Sequence, residues 1–192
     1  LYFGGGTPSQ LDEKDFRKVF DTVRRVYGME NCHEITLEAN PDDLCPEYLQ
    51  MLSELPFNRI SMGIQTFDDT TLKLLKRRHN AAQAIRAVEL CRAHGVRNIS
   101  IDLIYGLPGG TTERWEKDLQ QAIALDVEHI SAYHLIYEEG TPIYKMLQKH
   151  QVEEVDEDSS VRFFTLLIDR LREAGYEHYE ISNFCKPGMY SR

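Results

Sequence analysis

The sequence predicts an α/β protein built from strand–helix units around a parallel sheet or barrel, and three observations lead there. Short apolar runs alternate along the chain with amphipathic stretches of helical period. The runs begin near residues 1, 34, 59, 98, 129 and 176, at intervals of 25 to 47 residues, the rhythm of (β/α) units without a sequence repeat. Four of them, LYFGGGTP, EITLEANP, RISMGIQ and NISIDLIYGLP, carry a glycine turn or a hydrophilic residue late in the strand: Gly4-Gly5-Gly6, Glu38, Gln65 and Asp102.

Alternation along each strand separates two faces. Ile35 and Leu37, then Ile60, Met62 and Ile64, then Ile99, Ile101 and Leu103 form an apolar face for helices to cover. The opposite face reads Thr36 and Glu38, then Ser61, Gly63 and Gln65, then Ser100 and Asp102. A sealed barrel interior is filled with bulky branched residues. This one is small and polar, so it is expected to hold a ligand.

The elements follow in order. Ser9 or Asp12 caps a first helix with an inward stripe of Phe16, Val19, Phe20, Val23 and Val26, stopped by Gly28. Pro46 suits the first position of a second helix bearing Leu49, Leu52 and Leu55. A third helical stretch starts near Thr71, breaks near Asn80, resumes through Ile85, Val88 and Cys91 and ends at Gly95. Thr111 or Thr112 caps a helix with Trp115, Leu119, Ala122 and Ile123. HISAYHLIY, His129 to Tyr137, is the fifth strand. Residues 138–158 are charged and weakly periodic, a loop or short helix over the barrel mouth. The last helix carries Val161, Phe164, Leu167, Ile168 and Leu171 and ends at Gly175, and YEHYEIS, Tyr176 to Ser182, is a last strand. No Pro-, Gly- or Ser-rich linker divides the chain. One domain is expected over residues 1–192, with barrel units in 1–137 and the mouth loop, helix and final strand in 138–192.

The chain has 22 Lys and Arg against 31 Asp and Glu, a formal charge of −9, with the acids spread along helices. A nonspecific nucleic-acid surface needs a basic patch, so no nucleic acid is expected as partner. No apolar run approaches the roughly 20 residues needed to span a bilayer. Cys32, Cys45, Cys91 and Cys185 are separated by 13, 46 and 94 residues, unlike a zinc knuckle, a redox CxxC or a cluster-ligand triplet. Cys91 falls on an apolar stripe and reads as core packing, and free thiols make a reducing, cytoplasmic setting the expectation. His79, His94 and His150 form no metal constellation. The chain starts inside a strand without Met and ends at GMYSR without a cap, the look of an internal piece of a longer protein.

Ligand sites in such folds lie at the carboxyl ends of the strands, where the glycine turn, Glu38, Gln65 and Asp102 all fall. GGGTP lacks both the lysine of a phosphate loop and GxGxxG spacing. It is either a turn that brings backbone close to a ligand or a plain strand-to-helix turn. Glu38 inside an apolar run needs a partner, which a ligand ammonium or Arg77 could supply. Arg77 and Arg78 are either solvated charges or ligand contacts. The Asp102 carboxylate suits a pair of ribose hydroxyls. YGLPGG, Tyr105 to Gly110, reads as a tight turn into the next helix.

Six motifs in order, GGGTPSQL, ITLEANPDDL, RISMGIQTFDDTTLKLLKRRH, IDLIYGLPGGTTERWEKDL, HISAYHLIYEEGTPIY and YEISNF, resemble radical S-adenosylmethionine (SAM) enzymes over nearly the whole chain. The narrower likeness is to the group containing oxygen-independent coproporphyrinogen III oxidase (HemN) and the heme chaperone HemW, with LEANP, GTPIY and YEISNF favouring the HemW branch. The resemblance implies a partial, laterally open (β/α) TIM-like barrel holding SAM and one [4Fe-4S] cluster across the strand ends. On this sequence it places Gly5, Gly6 and Thr7 at the methionine end of SAM, Glu38 at its ammonium and Arg77 at its carboxylate. Gln65 and Asp102 fall to the ribose hydroxyls, and Ile136 to backbone contacts near the adenine. It further implies one-electron cleavage of SAM to a 5′-deoxyadenosyl radical, a porphyrin or heme ligand, an electron donor and a heme-acceptor protein. The family's cluster motif, CxxxCxxC or CxxxCxC, would precede residue 1, and an HNxxYW-type motif would follow residue 192. None of the four cysteines can replace it on spacing, so this polypeptide alone is expected to hold no cluster. Two other readings stand beside this one: a binding module without catalysis, and a (β/α) barrel lyase using Glu38 and Asp102 as acid and base.

Overall fold

Five strands lie parallel and in chain order, as the alternation of runs and helices predicts. The computed structural model describes residues 1–192. The strands are β1 (Tyr2–Phe3), β2 (Thr36–Ala39), β3 (Arg59–Gln65), β4 (Ile99–Tyr105) and β5 (His129–His134), followed by β6 (Glu177–Glu180) and β7 (Asn183–Cys185). They form one seven-stranded sheet ordered β1-β2-β3-β4-β5-β7-β6. It does not close: β1 and β6 are its edges. Register aligns Glu38 with Ser61, Gly63 with Asp102, and Asp102 with Ser131, so the polar strand residues share one face.

The apolar face is covered by α1 (Glu13–Tyr27), α2 (Pro46–Ser53), α4 (Ala81–Ala93), α5 (Thr112–Ala124) and α7 (Glu157–Glu173), while the short α3 (Asp69–Leu74) follows β3 and α6 (Pro142–Gln148) lies in the segment before α7. Leu37, Met62, Ile64, Ile99, Ile101 and Leu103 are fully buried within one hydrophobic cluster of 30 residues. The caps are side-chain oxygens that satisfy first-turn N–H groups. Asp12 accepts from Asp15, Asp68 from Thr71, Thr111 from Arg114 and Asp156 from Ser159, and Asn80 forms a capping box with Gln83. β1 has only two residues, yet Phe3 is held by Phe16, Phe20 and Phe57, with ring centroids 5.0–5.7 Å apart. That cluster fixes the start of the glycine turn.

Several expectations need correction. The last predicted strand, Tyr176 to Ser182, is not a further parallel barrel strand. Its Glu177–Glu180 portion pairs antiparallel with β7, and β7 pairs antiparallel with β5. Three residues with a polar Asn at the head gave no periodic signal for β7. The fifth strand ends at His134, not Tyr137; beyond it Leu135 is buried and Ile136 is 71% exposed. The inner stripe of α7 is Phe163, Leu167 and Leu171, at four-residue spacing, and Val161 is exposed. On α1 only Phe16 and Phe20 are buried; Val19 and Val26 face outward because β1 is too short to meet them. The helix expected from Thr71 starts at Asp69 and stops at Leu74.

Candidate functional site

The ends of β1 to β4 converge on one cavity of about 200 Å³. Of the eight residues singled out in the sequence, Gly6, Thr7, Glu38, Gln65, Arg77 and Asp102 line it. Gly5 is not part of the lining but touches it through Glu38, and Ile136 lies outside it, on the exposed stretch after β5. The sheet register accounts for the grouping: adjacent parallel strands bring equivalent positions to the same height, and four strand ends supply four groups.

Glu38 does not pair with Arg77. Its Oε1 accepts the Tyr2 hydroxyl at 2.8 Å and its Oε2 accepts the Gly5 N–H at 3.0 Å. The approach requires glycine at position 4, where a Cβ would stand 2.9 Å from the Glu38 carboxyl carbon and 2.6 Å from the Tyr2 ring. Gly5 and Gly6 have φ of 77° and 65°, conformations glycine adopts at no steric cost, which lets the turn present its N–H to the carboxylate. Burial and the neighbouring Glu38 carboxylate push the Tyr2 phenol well above its ordinary range, so it stays a donor.

Arg77 is fastened from the other side. Its Nη2 donates to Asn40 Oδ1 at 2.7 Å and to the Gly63 carbonyl at 2.8 Å, and no other Arg77 nitrogen has a protein acceptor. Burial lowers its pKa from the usual guanidinium value. Gln65 has φ 74°, in the left-handed region, at a costed strain of about 1 kcal/mol or more for a residue with a Cβ. The β3–β4 register slips there, between Gly63 and Gln65. Its amide folds back over Gly63, where a Cβ would meet Gln65 Nε2 at 2.8 Å and Arg77 Nη2 at 3.4 Å.

Asp102 is pushed up to about 6 by burial, against the opposing pull of the Ser131 and Ser61 hydroxyls and of the Arg59 charge. Beneath it the polar interior continues. Arg59 is buried with its Nε unpartnered, and Nη1 reaches Thr36 Oγ1 at 3.5 Å. Buried His129 lies between Ser100 Oγ at 2.8 Å and Tyr179 OH at 2.7 Å. Burial, aided by Arg59, lowers His129 to about 3, so its imidazole is neutral. Two site-shaping residues escaped the sequence reading. Asn40 lies two residues beyond Glu38, so its signal was available in the alternation, whereas Tyr2 belongs to a strand of two residues, too short to show a pattern.

No three His, Cys, Asp or Glu side chains converge as a metal-ligand set in residues 1–192. Cys32 is half-buried, Cys45 exposed and Cys91 and Cys185 buried, and no three of these thiols converge as a cluster-ligand set would require.

The family model described as the Radical SAM superfamily matches residues 1–122. The heme chaperone HemW of Bacillus subtilis (strain 168) is 38% identical over 193 residues, covering 100% of this chain and 51% of that protein. The mitochondrial radical S-adenosyl methionine domain-containing protein 1 of Mus musculus is 34% identical over 191 residues, covering 100% of this chain and 43% of that protein. The solved structure of coproporphyrinogen III oxidase (HemN) from Escherichia coli, a radical SAM enzyme, superposes with a TM-score of 0.84 at 25% identity. That match covers 98% of this chain and 43% of the other. The chain spans about half the length of the curated relatives it matches.

Proposed function

Because the chain belongs to the radical SAM superfamily, we propose that the cavity is a SAM site and that the whole protein is a HemW-type heme chaperone. One observation carries the SAM reading: the cavity is lined by two carboxylates, Glu38 and Asp102, and one guanidinium, Arg77, an excess of one formal negative charge. SAM at neutral pH has the complementary excess, with an ammonium, a carboxylate and a sulfonium. The donor set also matches group by group. Glu38 keeps lone pairs for an ammonium beyond those used by Tyr2 and Gly5. Arg77, anchored through one nitrogen, keeps N–H groups for a carboxylate. Asp102 and Gln65 supply an acceptor pair and an amide for vicinal hydroxyls. Gly6 and Thr7 edge the methionine end, and contact to an adenine falls to the Ile136 main chain.

SAM bound beside a reduced [4Fe-4S] cluster supplies radical chemistry, and this chain's residues bind it, orient it and exclude water. The cluster thiolates would come from outside residues 1–192. The heme-chaperone part of the proposal is supported by the run of HemW proteins at 32–38% identity over nearly all of this chain. The ligand would be heme or a related porphyrin, received by a heme-acceptor protein, with a separate electron donor for the cluster. The HemN likeness supports a second reading, oxidative decarboxylation of coproporphyrinogen propionates. Anaerobic iron–sulfur reconstitution of the whole protein separates them. The chaperone reading expects a Soret band on heme titration and heme transfer, without consumption of coproporphyrinogen III. Turnover of coproporphyrinogen III with 5′-deoxyadenosine release establishes the oxidase instead.

A further inference from the structure

The left-handed residue Gln65 is followed by two residues held by one buried carboxylate. Asp118, on α5, is 8% exposed and has no cation paired with it. Its Oδ2 accepts the Thr66 hydroxyl at 2.6 Å and its Oδ1 accepts the Phe67 N–H at 2.8 Å. Thr66 Oγ1 in turn accepts the Asp68 N–H at 3.1 Å, and Asp68 caps α3. Both oxygens of one buried carboxylate thus grip the two residues that follow Gln65. The burial is unfavourable enough to raise the Asp118 carboxyl above its ordinary value, against the pull of those two hydrogen bonds.

A merely structural role does not call for this arrangement. Asp118 stands on α5 between Trp115, Leu119 and Ala122, all buried, where an apolar residue would pack without desolvating a charge. The α3 cap is made by Asp68 itself. The carboxylate fixes the two residues through which the chain leaves Gln65, and the Gln65 amide lies over Gly63 and beside Arg77. Asp118 does not line the cavity.

We propose that Asp118, acting through Thr66 and Phe67, is a positioning residue that holds Gln65 in its ligand-binding conformation. The inference rests on the SAM reading of the cavity, and its test has one arm that needs no ligand. In the full chain, SAM affinity is measured by anaerobic calorimetry for the wild type, D118N, T66V, Q65A and D102A, and for D118N and T66V in each of the Q65A and D102A backgrounds. T66V removes the hydroxyl arm of the grip together with the acceptor of the Asp68 N–H, so thermal unfolding of each variant establishes that it is folded before its affinity is compared. D118N and T66V are each expected to weaken SAM about tenfold in the wild-type background and about tenfold again with D102A, but less than about twofold with Q65A. In the ligand-free protein, the Gln65 side-chain amide resonance, assigned by its loss in Q65A, is expected to shift or broaden in both variants. Equal losses with and without Q65A, or an unmoved amide resonance, overturn the positioning role. Absence of SAM binding by the wild type overturns the reading of the cavity instead, and the amide resonance then decides the positioning role alone.

Discussion

At the scale of the residue, Asp102 is the cavity carboxylate whose hold on its proton the fold strengthens. Burial raises it from 3.8 to about 6. In the unfolded chain it ionises near its ordinary value, so between about pH 4 and pH 6 the folded state holds the proton more tightly. Stability therefore falls as pH rises through that window. The D102N amide escapes this loss. Its stability relative to wild type is expected to grow by about 2–3 kcal/mol between pH 4 and pH 7, measured by denaturant unfolding of both proteins across the range. Parallel pH curves for the two proteins would show that Asp102 is not held by desolvation. SAM affinity should move oppositely, weakening as pH drops below 6 because a protonated carboxyl gives up an acceptor. The polarity of Asp102 and Glu38 late in apolar strands was readable from sequence. Their partners were not: Glu38 was open between a ligand and Arg77, and the Tyr2 hydroxyl that holds it comes from a strand too short to show a pattern.

At the scale of the element, the end of β3 shows how a backbone irregularity serves the site. Regular alternation would have carried Gln65 on as an ordinary strand residue; instead the register slips between Gly63 and Gln65 and the amide turns back over the glycine. A G63A methyl would meet the flexible ends of Gln65 and Arg77 rather than backbone. G63A is therefore expected to fold with a stability change below about 1 kcal/mol while weakening SAM about tenfold or more, since the Gln65 amide at 2.8 Å must move. Calorimetry alongside thermal unfolding checks it, and an unchanged affinity would remove Gln65 and Arg77 from the ligand. Parallel strands and helix caps were legible because apolar runs and capping oxygens are local signals. The left-handed turn and the hairpin of β6 and β7 depend on contacts distant in sequence and gave no local signal, and on α7 the local reading found Leu167 and Leu171 but took exposed Val161 for buried Phe163.

At the scale of the molecule, an open sheet poses the question of how its second half is held. β1 to β5 are tied together by crossover helices, whereas β6 and β7 join through a hairpin after α7. Phe184 is the link: it is fully buried, pairs in register with Ile130 of β5, and stacks on His178 with centroids 4.3 Å apart. Tyr176, just before the hairpin, donates its hydroxyl to the Val127 carbonyl at 2.6 Å, and His129 meets Tyr179. These contacts make the hairpin part of the common core rather than an appendage, and the 30-residue cluster includes both Phe184 and Phe16 at opposite ends of the sheet. F184A is accordingly expected to lower global stability by about 3–5 kcal/mol, the cost of a large cavity in a shared core. Hydrogen exchange should show the amides of β3 and β4 losing protection together with those of β7. A loss confined to β6 and β7, with the sheet between β1 and β4 as protected as before, would mean that the site half and the hairpin half fold independently.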